Sequence, residues 1–257
     1  MTILDTIAEA TRERVALKKK AFPLADCKKA ALSLPKGERT FEDMRETMSF
    51  ICECKKASPS KGVIAPTFPY LDIAREYERA GAFAISVLTE PKWFLGKDEY
   101  LKEISETVSI PCLRKDFTVD EYMLYEAKTL GAKAVLLIVS LLDAHKLKAY
   151  REIAEGLGMS ALVEAHDEHE LEVAQRAGAT LIGVNNRNLK DFSVDLSNAG
   201  RLRALVDPSV KFVAESGIKT RQDVANLERM GVNAVLVGET LMRSPDKKKA
   251  LEYLREG

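Results

Sequence analysis

Five times along this chain a charged, helically periodic segment stops at a glycine and a short aliphatic run follows. The copies are Arg79-Ala80-Gly81 before AFAISVL, Thr129-Leu130-Gly131 before AKAVLLIV, Gly156-Leu157-Gly158 before MSALVEA, Arg176-Ala177-Gly178 before ATLIGVN, and Arg229-Met230-Gly231 before VNAVLVG. A glycine just past a helix end takes the left-handed conformation without steric cost, and the aliphatic run behind it reads as a strand. The repeated unit is helix, turn, strand.

Adding the apolar runs that lack this glycine gives strands near 49–55, 83–88, 110–115, 134–139, 160–165, 180–185, 210–215 and 233–237. Near-continuous apolar strands alternating with helices make a parallel sheet covered on both sides. Eight such units in a chain of 257 residues predict an α/β fold of the (β/α)8 barrel type. A doubly wound open sheet is the alternative, but no G-x-G-x-x-G follows the first strand. Residues 1–48 carry helical patterns at about 2–19 and 40–46 and are expected to form an N-terminal helical extension packed on the barrel of 49–257. The expectation is a single TIM-barrel domain.

Composition narrows the function. Lys and Arg number 39 and Asp and Glu 39, so there is no basic excess for a nucleic acid, and the two basic runs, Lys18 to Lys20 and Lys247 to Lys249, read as solvated helix ends. The longest apolar stretch, Ala134 to Val139 followed by Ser140 and Leu141-Leu142, is far short of a membrane span. Met1 to Asp5 lack the basic and apolar regions of a secretory signal, so a cytoplasmic location is expected. Cys27, Cys52, Cys54 and Cys112 are too few and scattered for a disulfide framework and read as reduced packing residues.

Side chains alternate along a strand, so Cys52 and Cys54 face the helices while Glu53 and Lys55 point to the barrel axis. Lys115 shares the inward face of Leu113 while Arg114 turns outward. Glu164 shares the face of Leu162, Asn185 that of Gly183, Arg187 follows, and Glu215 ends the seventh strand. Burying an ion is costly unless it is paired or used. Six charges fall at strand C-termini, where barrels of this class build their sites, although Glu53, Glu164 and Glu215 also balance Lys55, Lys115 and Arg187 as a structural plug would. An ammonium whose pKa is lowered by burial or by other cations can donate a proton to a reacting group.

Glu215-Ser216-Gly217 and Val237-Gly238-Glu239, after the last two strands, offer backbone N–H groups to a phosphate. Trp93-Phe94, after the second strand, either hangs over the same face or packs under its loop. His166 and His169 have an H-x-x-H spacing compatible with a metal, but their acidic surroundings favour a surface capping role. His145 reads as a surface helix residue.

Taken in order, Glu53-Cys54-Lys55-Lys56-Ala57-Ser58-Pro59-Ser60, Leu113-Arg114-Lys115-Asp116-Phe117, Leu162-Val163-Glu164, Gly183-Val184-Asn185-Asn186-Arg187-Asn188-Leu189, Val213-Ala214-Glu215-Ser216-Gly217-Ile218 and Val237-Gly238-Glu239 resemble the indole-3-glycerol phosphate synthase family over about residues 48–245. The resemblance implies conversion of 1-(2-carboxyphenylamino)-1-deoxyribulose 5-phosphate to indole-3-glycerol phosphate, with loss of CO2 and water and without a metal or organic cofactor. By matching position, Lys115 is the implied general acid and Glu164 the group that steadies positive charge on the anilino nitrogen. Lys55 and Glu53 match the acid and base of dehydration, and Asn185 and Glu215 orient the substrate. Arg187 with Ser58 would hold the carboxylate and Phe94, beside Trp93, would wall the ring. Ser216 and Gly217 with Gly238 and Glu239 would take the phosphate. The implied partner is this small molecule; composition predicts no nucleic acid and no membrane, and the sequence names no protein partner.

Two other readings compete. Phosphoribosylanthranilate isomerase binds a related phosphate, but its reaction is usually assigned a Cys base and an Asp acid at strand ends. Here Cys112 does not end its strand and the first strand offers Glu53. A catalytically silent phosphate-binding barrel would be expected to lack Lys115 or Glu164, and both are present.

Overall fold

The five repeat glycines all lie in the left-handed region, with φ between 76° and 84°. At the first of them the Gly81 N–H donates to the Glu78 carbonyl at 2.9 Å and the Ala82 N–H to that of Tyr77 at 3.0 Å, and the same pair of bonds recurs at the other four. That pairing satisfies the last helix carbonyls and turns the chain back toward the barrel.

The computed structural model describes residues 2–44, 47–188 and 192–256. Its strands are β1 (Ser49–Cys54), β2 (Ala84–Leu88), β3 (Cys112–Lys115), β4 (Ala134–Ile138), β5 (Ser160–Ala165), β6 (Leu181–Asn185), β7 (Lys211–Glu215) and β8 (Ala234–Val237), parallel and closed into one barrel by β8 pairing with β1. All eight fall within the runs expected from sequence. The helices are α1 (Ile3–Ala21), α2 (Leu24–Ser33), α3 (Tyr70–Arg79), α4 (Asp98–Thr107), α5 (Tyr122–Thr129), α6 (Ala144–Gly156), α7 (Glu168–Arg176), α8 (Ser197–Arg203), α9 (Arg221–Arg229), α10 (Glu239–Arg243) and α11 (Lys247–Glu256). No helix among the described residues is long and apolar enough to cross a membrane.

Alternation divides the core in two. Ile51, Leu113, Leu162 and Val213 belong to the cluster inside the barrel, whereas Cys52, Cys54, Ile85 and Phe212 pack with the helices outside it. The cysteines are free and buried, as expected, and burial pushes the Cys54 thiol well up.

The N-terminal segment departs from expectation in three ways. First, α2 carries little periodic signal because its buried residues are only Cys27 and Ala31, both small. Second, the helical pattern at 40–46 becomes a 3-10 turn over Thr40–Glu42, while Arg45 and Glu46 lie outside the described residues, as does Leu189 of the sixth-strand motif. Phe41 is fully buried, with Ala134, Leu181 and Ala234 in the same cluster, and Glu42 turns to Ser160 and Arg39. Docking of these side chains overrides local propensity. Third, Lys18 and Lys19 are not solvated ends. Lys18 pairs with Asp98 and, at 2.7 Å, with Glu126, and Lys19 pairs with Asp120 at 2.7 Å.

Those pairs join a buried network. Arg114 turns outward from β3, only 2% exposed, and donates to Asp98 at 2.8 Å, Glu126 at 2.7 Å and the Met123 carbonyl at 3.0 Å. Arg14 of α1 holds both oxygens of Asp116, at 2.8 and 2.9 Å. Replacing Arg114 by Leu leaves Asp98 and Glu126 to share Lys18 as their counter-ion and leaves the Met123 carbonyl without its donor, which should cost about 3 kcal/mol. Thermal melting should then fall by roughly 10 °C, and an unchanged midpoint would mean the network adds nothing to stability.

Candidate active site

The C-terminal ends of the strands surround a cavity of about 910 Å³, lined by Glu53, Lys55, Lys115, Glu164, Asn185 and Glu215 and by the expected substrate-binding residues Ser58, Phe94, Arg187, Ser216, Gly217, Gly238 and Glu239. At its floor Lys115 Nζ lies 3.2 Å from Glu164 Oε2 and 3.0 Å from Glu215 Oε2, bringing β3, β5 and β7 to one point. Lys55 pairs with Glu53 just past β1, and Glu53 also accepts from the Ser86 hydroxyl at 3.2 Å. Asn185 Nδ2 is 3.5 Å from Glu164 Oε1. Arg187 stands apart from this cluster, donating to the Phe192 carbonyl at 3.2 Å, so the six charges do not close into one plug.

Packing these ions together out of water sets their protonation. Burial alone would discharge Lys115, but Glu215, Glu164 and Glu53 more than reverse it and its pKa rises. The sequence predicts a lowered pKa for Lys115, and the fold raises it instead. The neighbours that count are carboxylates from other strands. Burial also opposes ionisation of Glu164, but Lys115 and His166 overcome it and hold this carboxyl far below its usual range. Glu53 is likewise lowered, burial being outweighed by Lys55 and Lys115. Glu215 goes the other way: burial, only partly offset by Lys115 and reinforced by Glu164, pushes it up to about 7. Its Oε1 is buried without a hydrogen-bond partner. A carboxyl raised in the folded state favours folding below the unfolded pKa, and that contribution fades as pH rises through about 7. The Glu215 carboxyl resonance in carbon-13 NMR should move with a midpoint near 7, and a midpoint near 4 would refute this environment.

The rest of the cavity is less charged. Phe94 lines it and meets Phe117 with ring centroids 5.9 Å apart, while Ile3, Leu4 and Ile7 of α1 add apolar side chains to the lining. Trp93 is not among the lining residues. Lys92 sits over its ring, so it does not wall the cavity beside Phe94 as expected from sequence. Ser58 belongs to a two-residue ladder between Ala57–Ser58 and Gly62–Val63. On the far side Ser216 and Gly217 both have positive φ, 67° and 87°, a conformation unfavourable for serine and held by Asn186, whose side chain donates to the Ser216 carbonyl at 3.2 Å. Gly238 precedes α10, and the Glu239 carboxylate pairs with Arg243 at 3.0 Å and Lys61 at 3.7 Å, both of which also line the cavity.

Sequence reasoning overlooked several groups. Buried Glu90 accepts the backbone N–H groups of Lys92, Trp93 and Phe94 at 2.9, 2.7 and 3.0 Å and so fixes the loop that presents Phe94. Ser86 and Lys61 carry no sequence signal, and Asn186, though part of the sixth-strand motif, has no role assigned from sequence. His166 is no surface cap: its ring lies between Glu164 and Glu170. The alternation rule that found Glu164 would have found His166 two residues on. His169 is exposed, and no metal-holding group of His, Cys, Asp and Glu occurs among the described residues.

Comparison with known proteins agrees with this geometry. The thiamine phosphate pyrophosphorylase of Pyrococcus furiosus superposes with a TM-score of 0.61 at 19% identity, over 82% of this chain and 95% of that one, which speaks for the barrel fold alone. The indole-3-glycerol phosphate synthase of Ruminiclostridium cellulolyticum is 56% identical over 98% of both chains, and that of Lacticaseibacillus casei 51% identical over 99% of both. The family model for indole-3-glycerol phosphate synthase matches residues 4–254, and with the polar floor and glycine-edged rim in place this chain belongs to the indole-3-glycerol phosphate synthase family.

Proposed function

We propose that this protein closes the indole ring, converting 1-(2-carboxyphenylamino)-1-deoxyribulose 5-phosphate to indole-3-glycerol phosphate as a decarboxylating carbon–carbon lyase of tryptophan biosynthesis. The observation that carries the reading is Lys115, a buried ammonium flanked by Glu164 and Glu215 in a cavity with an apolar wall and a glycine-lined rim.

Attack of the substrate's ring carbon on the ribulose carbonyl puts electrons on oxygen and positive charge on the anilino nitrogen. Lys115 supplies the proton to that oxygen, and the Glu164 carboxylate steadies the cation. Its raised pKa keeps Lys115 charged until substrate arrives. The proton leaves as Glu164 turns its charge to the new cation, and Glu215, its pKa raised to about 7, is only partly ionised beforehand and so holds the ammonium less tightly. The carboxylate departs as CO2, its bonding pair returning to the ring and neutralising the nitrogen cation. Loss of the hydroxyl as water then needs one acid and one base, which the Lys55–Glu53 pair provides.

Arg187 and Ser58 hold the carboxylate, Phe94 with α1 walls the ring, and Asn185 with Glu215 orients the sugar. The phosphate sits on the backbone of Ser216, Gly217 and Gly238 and the N–H of Glu239, with Lys61 and Arg243 adding charge. We also infer that residues 1–48 and the barrel make one domain working in the cytoplasm. The ion pairs of α1 and the four buried free thiols support this. Purified protein given the carboxyphenylamino sugar phosphate should develop indole absorption, and failure to do so would overturn the assignment.

A further inference from the structure

His166 sits just past β5, on the same side of the chain as Glu164. One oxygen of Glu170 accepts both its backbone N–H and its ring Nδ1 at 2.9 Å. Glu170 is itself fixed in the first turn of α7, where its N–H donates to the capping Asp167 side chain at 2.9 Å. The His166 carbonyl accepts from Asn198 at 3.1 Å, so backbone and ring are held together. The other ring nitrogen, Nε2, is buried 3.3 Å from Glu164 Oε1, at ion-pair distance but off the hydrogen-bond direction. Both ring nitrogens therefore face carboxylates, a setting that suits only the doubly protonated ring.

Resting on the role of Glu164 argued above, we propose that His166 is a positioning residue: an imidazolium, clamped by Glu170, that holds Glu164 in place and ionised from the oxygen opposite Lys115. Lys115 occupies Oε2, whereas among the described residues Oε1 meets His166 and, at 3.5 Å, Asn185. When Lys115 gives its proton to the substrate, Glu164 loses its counter-ion at the moment it must stay anionic beside the anilino cation. His166 remains charged through that step. Burial works against the cation, but Glu164 and Glu170 outweigh it and push its pKa up to about 10. The pocket beside the ring brings Asp5 from α1, Arg187 and Asp195 from the segment after β6, and Arg201 from α8, so its further charges are of both signs.

The test compares His166→Ala, Glu170→Gln and Glu164→Gln for kcat, KM and pH dependence. An adjacent charge shifts a carboxyl by about one pH unit or more, so His166→Ala should lower kcat roughly 10-fold while KM stays within about twofold. Glu170→Gln keeps the acceptor for the backbone but removes one carboxylate from the ring. It should match the parent at pH 7 and lose kcat above about pH 8, where the parent holds its rate. Nitrogen-15 NMR of the parent at pH 8 should show both ring nitrogens protonated.

An inactive Glu164→Gln with full kcat in His166→Ala overturns the positioning role alone. An active Glu164→Gln overturns the reading of Glu164 itself. Should His166→Ala not fold, a neutral ring at pH 8, or an alkaline limb unmoved in Glu170→Gln, overturns the proposal.

Discussion

Lys115→Ala should reduce kcat by about 10³-fold, because general acid catalysis contributes on the order of 10²–10⁴ and no other ammonium among the described residues pairs with Glu164 or Glu215. Substrate affinity should change little, since the proposed seats of the carboxylate, ring and phosphate lie on other groups. The fold should also survive. Deleting the ammonium leaves two buried carboxylates facing each other, but Glu215 already sits near 7 and takes up a proton to relieve them. Arg114 differs, because it serves Asp98, Glu126 and a backbone carbonyl at once. Single-turnover indole absorption and a melting curve check both halves. Ring closure at the parent rate would remove Lys115 from the mechanism.

A second large effect is expected at Gly238. A Cβ there would stand 2.5 Å from Glu53 Oε1 and 2.9 Å from Lys55 Nζ, so any side chain pushes on that pair. Gly238→Asp adds a charge beside the proposed phosphate seat. Unit charges at close range interact by about 1–4 kcal/mol near a protein surface, so a dianionic phosphate should bind about 100-fold more weakly. Gly238→Ala separates the two causes: it displaces Lys55 and Glu53 without the charge, and should lower kcat with a much smaller rise in KM. Unchanged KM in Gly238→Asp would refute the anion site.

The floor of the site was legible because strand alternation is a local rule. Glu53, Lys115, Glu164, Asn185 and Glu215 follow from counting along apolar runs, and all five reach the cavity. His166 was obscured by its acidic neighbours, which look like a surface turn in one dimension although Glu170 folds back onto the ring. Glu90 had no signal beyond that of a loop carboxylate, since its partners are backbone N–H groups. Lys18 and Lys19 looked solvated because Asp98, Asp120 and Glu126, distant in sequence, neutralise them.

The chain by itself determined the barrel. Each of the five glycine-closed helix ends and each apolar run acts over a few residues, and eight apolar runs in series without a G-x-G-x-x-G favour the closed sheet over the open one. Tertiary structure alone decided the charge states. Lys115 is held protonated, Glu215 is driven toward neutrality and His166 is pressed into the cation by groups from other elements a few ångströms away. Electrostatic energy depends on distance and burial, and neither is written along the sequence.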